Sequence, residues 1–233
     1  MKKVWAVYFS GTGTTKKTVN FIADKLAEKF KTEKEIFDFT LPEERKGIKE
    51  FNKNDIVIFG TPVIAGRVPN VLLKYLDTLK GNGALAVPVV LFGNRDFNDA
   101  LMELSDILAK DGFKPIGAGA FVGEHSFSKI LAQGRPDEDD MKIMEEFSNK
   151  IYEKITEENF NPDIFVKIAH GERPFKYYKP KDAAGNNIDI RKVIPKTDEK
   201  LCDKCGVCAK VCPMGSIDFN DFSTINGICI KCC

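Results

Sequence analysis

Apolar and polar residues alternate with two different periods along the first 155 residues of the chain. Short apolar runs rich in β-branched and aromatic side chains predict five strands, at 3–9, 35–39, 56–59, 85–92 and 116–122. Apolar residues at helical spacing predict helices at 19–30, 43–51, 71–79, 101–108 and 137–155. This alternation predicts an α/β fold with a doubly wound, five-stranded parallel sheet. Within it, Pro88 predicts a short or irregular fourth strand, because proline cannot donate a ladder hydrogen bond.

The periodicity fades after residue 156, where prolines and a Gly-Asn-Asn turn become frequent. We therefore predict a sheet domain at 1–156, a linker at 157–198 and a small second domain at 199–233. Between Arg173 and Lys196 the chain has seven lysines and arginines against two aspartates, with aromatic residues interleaved. That stretch is open to a nucleic-acid interpretation. We favour a basic segment that wraps the sheet domain or meets an acidic redox partner, and we expect no nucleic-acid partner.

The overall composition narrows the class of protein. A net charge of +1, with 30% charged and 43% hydrophobic residues, gives no global attraction to nucleic acid or to membranes. The apolar runs are about half the ~20 residues that a membrane span requires. The first apolar run is also too short for a signal peptide. We therefore expect a cytoplasmic protein with no membrane span.

All seven cysteines lie between Cys202 and Cys233, so they predict one local site rather than a disulfide framework. The run Cys202-x-x-Cys205-x-x-Cys208-x-x-x-Cys212-Pro213 has the spacing of an iron–sulfur site, in which soft thiolates bind iron. A structural zinc site is the alternative, but it usually has paired CxxC motifs with a longer gap. The run resembles that of two-cluster bacterial [4Fe-4S] ferredoxins, which implies a ferredoxin-like second domain.

That resemblance also implies how the ligands are shared. The first three cysteines would hold one cluster with a ligand beyond residue 233, whereas Cys212 would join Cys229 and Cys232 on a second cluster. Cys233 breaks the family's spacing and is expected to be a bystander. We expect a chain truncated at Cys233, with two clusters in the intact protein and fewer or none in the truncated one.

The loop after the first predicted strand carries a phosphate-binding signature. Lys16 stands where an ATP-binding loop or a dinucleotide-binding loop requires glycine, which disfavours both. The remaining hydroxyls and backbone amides suit a monoester phosphate at a helix N-terminus, although a turn that only caps the helix would look similar. The loop resembles the phosphate loop of flavodoxins, and the candidate residues are Ser10, Thr12, Gly13, Thr14 and Thr15.

Two further loops extend the resemblance to flavodoxins over about residues 1–155, and it implies a flavodoxin-like fold that binds FMN. In that family these loops enclose the isoalloxazine ring. Ile64 and Ala65 stand where many flavodoxins have an aromatic residue, so we expect an open ring face with Phe97 as the stacking residue, unless Phe97 is a core residue. The candidates are Thr61, Pro62, Val63, Ile64, Ala65, Gly66 and Arg67 after strand three, and Gly93, Asn94, Arg95 and Phe97 after strand four.

Specific roles are expected for two residues, Arg67 and His125. A cation at Arg67, near the pyrimidine edge of the flavin, would stabilise added negative charge and raise the potential for the second electron. The alternative is a solvated arginine or one that faces the ferredoxin-like domain. His125, after the fifth strand, is a candidate catalytic proton donor, or a residue that only bonds its neighbouring loop.

Taken together, the chain resembles the flavodoxin–ferredoxin fusion proteins of anaerobes. The resemblance implies an electron-transfer protein that passes electrons between [4Fe-4S] clusters and FMN and serves redox-protein partners in anaerobic metabolism. The alternative is an oxidoreductase in which FMN reduces a small oxidant, such as a quinone or an unsaturated organic compound. Whether the chain is an enzyme, and in which oligomeric state, stays open.

Overall fold

The computed structural model describes residues 2–188 and 195–232. The strands are β1 (Lys3–Tyr8), β2 (Lys34–Asp38), β3 (Asp55–Pro62), β4 (Leu85–Phe92), β5 (Lys114–Pro115) and β6 (Gly119–Val122). The α-helices are α1 (Thr14–Phe30), α2 (Leu73–Leu76), α3 (Ala100–Lys110), α4 (Glu138–Thr156) and α5 (Val207–Lys210). Two short 3-10 helices cover Pro42–Arg45 and Asn70–Leu72.

The strands form one parallel sheet in the order β2-β1-β3-β4-β5, and β6 also pairs with β4. β5 and β6 lie one after the other beside β4, so together they make the fifth strand of the predicted sheet. The predicted five-stranded parallel α/β sheet is thus confirmed. Strand order reverses at β1, which places a crevice between the loops that follow β1 and β3.

The prediction of a short or irregular fourth strand was wrong. β4 runs through Pro88 for eight residues, and Phe59 of β3 pairs beside Pro88. On the other side of β4, the partner of Ala86 is Pro115 and the partner of Val89 is Gly119, so the interruption between β5 and β6 faces Pro88. The missing N–H of proline therefore falls where the fifth strand makes no ladder bond.

Helices cover both faces of the sheet, as a doubly wound fold requires. One apolar core packs α1 and α4 against the sheet, and the other packs α2 and α3 against the opposite face. β3 contributes Ile56 and Ile58 to the first core and Val57 and Phe59 to the second, which explains why its sequence is a continuous apolar run. The predicted polar helix at 43–51 was wrong, because only Pro42–Arg45 is helical and Gly47 follows it closely.

After α4 the chain runs along the sheet domain before it reaches the cysteines. We call residues 166–181 the strap. Its first residue, Val166, donates its N–H to the carbonyl of Pro115 (2.8 Å), and Ile168 packs against the second core. The predicted linker includes residues 189–194, which lie outside the described residues. The predicted domain boundaries at 156 and 198 stay predictions.

The cysteine-containing segment 195–232 has little apolar interior. Ala209 is its buried apolar residue among those described, whereas Leu201, Val211 and Phe219 are largely exposed. Its ordered contacts are mainly turns and one antiparallel bridge between Ile217 and Ile225. A segment with this little buried area depends on other groups for its stability, as small metal-binding domains do.

Candidate functional site

The loop between β1 and α1 has the geometry of an anion-binding turn. α1 begins after Gly13, whose φ of 90° is left-handed and which, as the N-cap residue, has no side chain to cap the helix. The first turn of α1 carries no acidic residue, so its N–H groups and positive dipole end are suited to a negative charge. The Ser10 hydroxyl accepts from the Lys16 N–H (3.1 Å), and the Thr12 and Thr14 hydroxyls lie 3.4 Å apart.

Lys16 and Lys17, in the first turn of α1, both contact other parts of the protein. The ammonium of Lys17 donates to the carbonyl of Pro136 (2.7 Å), at the start of the segment that leads into α4. The ammonium of Lys16 lies 3.8 Å from the carboxylate of Asp38, at the end of β2. Their side chains therefore link the helix start to neighbouring elements.

The loops after β3 and β4 pack against each other. Ile64 and Arg67 exchange two backbone hydrogen bonds (3.0 and 3.1 Å) around a tight turn, in which Ala65 and Gly66 have positive φ. A side chain at Gly66 would collide with Asn98 of the second loop, whose side-chain oxygen would lie 2.7 Å from the added carbon. Glycine at this position lets the two loops interlock.

The three loops open into one cavity of about 790 Å³ at the carboxyl edge of the sheet. This volume lies within the range of small-molecule and cofactor sites. The residues predicted from the sequence that line the cavity are Thr12, Thr14, Pro62, Val63, Ile64, Ala65, Gly93, Arg95 and His125. The site predicted from three separated loops is therefore brought together.

The end of the cysteine segment forms part of the same cavity wall. Cys229 and Cys232 line it, together with the residues between them. A side-chain carbon added to Gly11 of the phosphate-type loop would lie 3.1 Å from Cβ of Cys232, so the two segments are in close contact. Ile230 packs against the second core.

The described cysteines have the donor chemistry of an iron–sulfur site. Within residues 2–188 and 195–232, no three histidine, cysteine or acidic side chains converge as a metal-binding group. The ligand assignment and the number of clusters therefore stay predictions from the cysteine spacing, and Cys233 lies outside the described residues. Free thiols are carried by Cys202, Cys205, Cys208, Cys212 and Cys229.

Comparison with known proteins adds one family match and several similar structures. Residues 194–217 match a 4Fe-4S binding domain, and no curated protein matches the chain. An NADH:FMN oxidoreductase in its apo form is similar, with 17% identity, a TM-score of 0.49, and coverage of 68% of this chain and 92% of that one. A flavodoxin from the domain Archaea has 16% identity and a TM-score of 0.46, and the match covers 67% of this chain and 100% of that one. The flavodoxin of Streptococcus pneumonia TIGR4 has 19% identity and a TM-score of 0.43, and the match covers 65% of this chain and 99% of that one.

The strand order decides the fold of the first domain, because 2-1-3-4-5 with a ligand site at the reversal is the flavodoxin-like order. The chain joins a flavodoxin-like domain to a 4Fe-4S binding domain. In the flavodoxin-like domain, the start of α1 and the Thr12 and Thr14 hydroxyls have the donor chemistry that would hold the phosphate of FMN, and the loops after β3 and β4 would form walls for its ring. No helix within the described residues is both long and apolar enough to cross a membrane.

Several predicted flavin-site residues shape the loops of the flavodoxin-like domain from outside the cavity wall. Thr15 and Thr61 are buried, and the Thr61 hydroxyl has no hydrogen-bond partner among the described residues. Asn94 has a positive φ at the turn after β4. The predicted residues outside the described cavity lining are Ser10, Gly13, Thr15, Thr61, Gly66, Arg67, Asn94 and Phe97.

Arg67 has a different environment from the one expected for a flavin contact. Its side chain is buried and forms a two-pronged ion pair with Glu103 of α3, and the same carboxylate accepts the Val68 N–H (2.9 Å). The hydrogen bond to Glu103 raises the pKa of Arg67 above its ordinary value. Phe175 and Tyr177 of the strap cover the guanidinium, with ring centroids 5.1 and 4.6 Å away. Arg67 therefore joins the loop to α3 and the strap.

Phe97 is not among the described cavity-lining residues, although it packs against one of them, Phe92. Its ring centroid lies 5.3 Å from that of Phe92 and 4.3 Å from that of His170 in the strap. His170 in turn contacts the carboxylate of Asp96 (3.2 Å). The alternative that Phe97 is a packing residue at the start of its helix agrees with this arrangement.

His125 lies in the cavity wall of the flavodoxin-like domain, with its ring against the backbone of Gly93. A side chain at Gly93 would come within 2.6 Å of the imidazole. Nδ1 of His125 accepts the Phe127 N–H (3.1 Å), so the neutral ring carries its proton on Nε2. The histidine therefore both bonds its own loop and lines the cavity.

Sequence reasoning missed Tyr178, Pro180 and Lys181, which bring the strap to the cavity wall. The Tyr178 N–H donates to the carbonyl of Ala65 (2.8 Å), and the guanidinium carbon of Arg95 lies 3.7 Å from the Tyr178 ring centroid. The only sequence signal was the interleaving of aromatic and basic residues at 173–181, which was assigned to a linker.

Proposed function

We propose that this chain is an electron-transfer flavoprotein that passes electrons between [4Fe-4S] clusters and FMN and serves redox-protein partners. The observation that supports it is the shared cavity, which is lined by the phosphate-type loop between β1 and α1, by the loops after β3 and β4, and by Cys229 and Cys232. The contact between Gly11 and Cys232 brings the cysteine segment to the phosphate-type loop.

The division of roles follows from the chemistry of each site. FMN supplies storage of one or two electrons with a proton, and the clusters supply transfer of single electrons. The α1 N-terminus and the Thr12 and Thr14 hydroxyls hold the phosphate, while the loops after β3 and β4 exclude water from the ring. Because both sites belong to one chain, transfer between them is intramolecular and independent of protein concentration.

Anaerobic purification of the full-length protein tests this function, with FMN, iron and sulfide counted per polypeptide. We expect equimolar FMN, and reduction of the iron–sulfur sites should be followed by loss of oxidised flavin absorbance at a concentration-independent rate. A double variant Thr12→Val, Thr14→Val should bind FMN at least about tenfold more weakly, and Thr156→Val at the end of α4 is the matched control. Absence of FMN binding by the wild-type chain would refute the proposal.

A second function, reduction of a small oxidant, is favoured by His125, which lines the cavity and whose neutral ring carries its proton on Nε2. Such a reaction consumes protons as well as electrons, whereas transfer to a redox protein need not. Under this alternative, His125→Gln should slow turnover with a quinone by about 10²-fold or more and leave electron transfer from the clusters unchanged. Equal quinone turnover by both proteins would exclude this role of His125.

A further inference from the structure

The strap is held against the flavodoxin-like domain along its length. The carboxylate of Asp99, which is 9% exposed, accepts the Glu172 N–H on one oxygen and the Lys176 N–H on the other, both at 2.9 Å. Arg173 forms a two-pronged ion pair with Asp106 on α3 (2.6 and 2.9 Å). The backbone of the strap therefore follows a defined path towards the cavity.

That path ends beside the loop after β3, in which Ile64 and Ala65 stand where many flavodoxins have an aromatic residue. The Tyr178 N–H is bonded to Ala65 (2.8 Å), the residue at the tip of this loop. The Tyr178 ring lines the cavity with Arg95, stays 39% exposed, and is stacked on the Arg95 guanidinium at 3.7 Å. A planar, partly exposed ring is thus fixed in the cavity wall by its own backbone and by a cation.

We propose that the strap completes the flavin pocket and that Tyr178 supplies the aromatic wall for the isoalloxazine ring in place of the ring loop. This inference rests on the proposed FMN site and assigns part of that site to a segment outside the flavodoxin-like domain. A tyrosine offers a large flat contact area and little conformational entropy to lose, which suits it to a planar ligand. Tyr177, the adjacent residue, packs on Arg67 instead and is not among the described lining residues.

The first test is a titration of the full-length apoprotein with FMN and, separately, with riboflavin, which lacks the phosphate. Tyr178→Ala should raise the dissociation constants of both ligands by about tenfold, because the lost contact is to the ring they share. Tyr178→Phe should stay within about twofold of wild type, and so should the control Tyr177→Ala. An effect confined to FMN, or no effect of Tyr178→Ala, would overturn the inference.

The second test measures proteolysis of the strap with and without FMN. Trypsin cleaves after lysine and arginine except where proline follows, so the strap offers Lys167, Lys176 and Lys181. If the ring contacts the strap, saturating FMN should slow cleavage of the wild-type strap, and Tyr178→Ala should lose most of that protection. Tight FMN binding without protection overturns this inference alone, whereas failure of the wild-type chain to bind FMN overturns the proposed function as well.

Discussion

Arg67 and Arg95 lie on adjacent loops, but their guanidinium groups meet different surroundings. Arg67 is neutralised by Glu103 and is buried under two strap aromatics. Arg95 lines the cavity and stacks on Tyr178. A cation influences the potential of a bound flavin only if its charge is near the ring and uncompensated. We therefore transfer the tuning role expected for Arg67 to Arg95.

Arg95→Ala should lower the potential for the second electron of bound FMN by an amount on the order of tens of millivolts, because reduction adds negative charge beside a lost cation. Arg95→Lys keeps the charge and should retain most of the potential. Arg67→Ala should leave the potential unchanged and reduce the free energy of unfolding by about 3–5 kcal/mol, because Glu103 stays buried without its partner. Anaerobic redox titrations and urea unfolding measure the two effects, and a shift in potential with Arg67→Ala would reverse the assignment.

A second residue-scale prediction concerns Asp111, at the end of α3. Burial, and then the nearby Asp77, raise the pKa of its carboxyl group to about 6, whereas it titrates near ~4 in an unfolded chain. The folded state thus binds the proton more tightly, so the associated stability is present below about pH 4 and is lost as the pH rises through about 6. One carboxylate oxygen is buried and has no partner among the described residues.

Asp111→Asn should therefore raise the free energy of unfolding at about pH 7.5. The full shift corresponds to ~3 kcal/mol, but partial solvent exposure reduces the expected gain to about 1 kcal/mol. At about pH 4 the gain should vanish. Urea unfolding followed by the fluorescence of Trp5, the single tryptophan, measures both values. Asp163→Asn, at an exposed ion pair with Lys114, is the control, and an equal gain at both pH values for Asp111→Asn would contradict the argument.

At the scale of elements, the strands and the strap differ in how visible they are in the sequence. β3 is buried on both faces and reads as an apolar run, and the order of strands and helices then places the three loops at one edge. The fold and the location of the cavity could be predicted for this reason. The strap could not, because it is held by backbone N–H groups that every residue type carries. Likewise, no local pattern connects Arg67 with Glu103, which is 36 residues away.

The strap depends most on Asp99, which is buried and accepts two of its backbone N–H groups. Asp99→Ala should accelerate tryptic cleavage at Lys176 and Lys181 by at least about tenfold, because each lost hydrogen bond to a carboxylate contributes about 1.5–3 kcal/mol. Asp106→Ala removes only an exposed ion pair to Arg173 and should change cleavage less than about threefold. Equal cleavage rates for the two variants would show that the strap is held by other contacts.

At the scale of the whole molecule, a few contacts connect the sheet domain with the cysteine segment. One Arg45 nitrogen donates to the carbonyls of Phe39 (2.8 Å) and Thr40 (2.6 Å), and the other donates to the carbonyl of Pro213 (2.6 Å), directly after Cys212. Arg45 thus joins the end of β2 to the cysteine run. The segment itself buries little apolar surface, so polar contacts of this kind contribute to its position together with the packing of Ile230.

Arg45→Ala should release the 4Fe-4S domain from its docked position while both cofactor sites stay intact. Electron transfer from the clusters to FMN should then slow by about tenfold, because it becomes limited by tethered motion of the domain. FMN affinity and iron content should not change, since Arg45 lies outside the described cavity lining and supplies no thiolate. Rapid-mixing reduction, followed at the flavin absorbance, measures the rate. Lys46→Ala, whose ammonium pairs with Glu43 on the same turn, is the matched control. An unchanged rate in Arg45→Ala would mean that the contacts of Cys232 with the phosphate-type loop are sufficient to hold the domain.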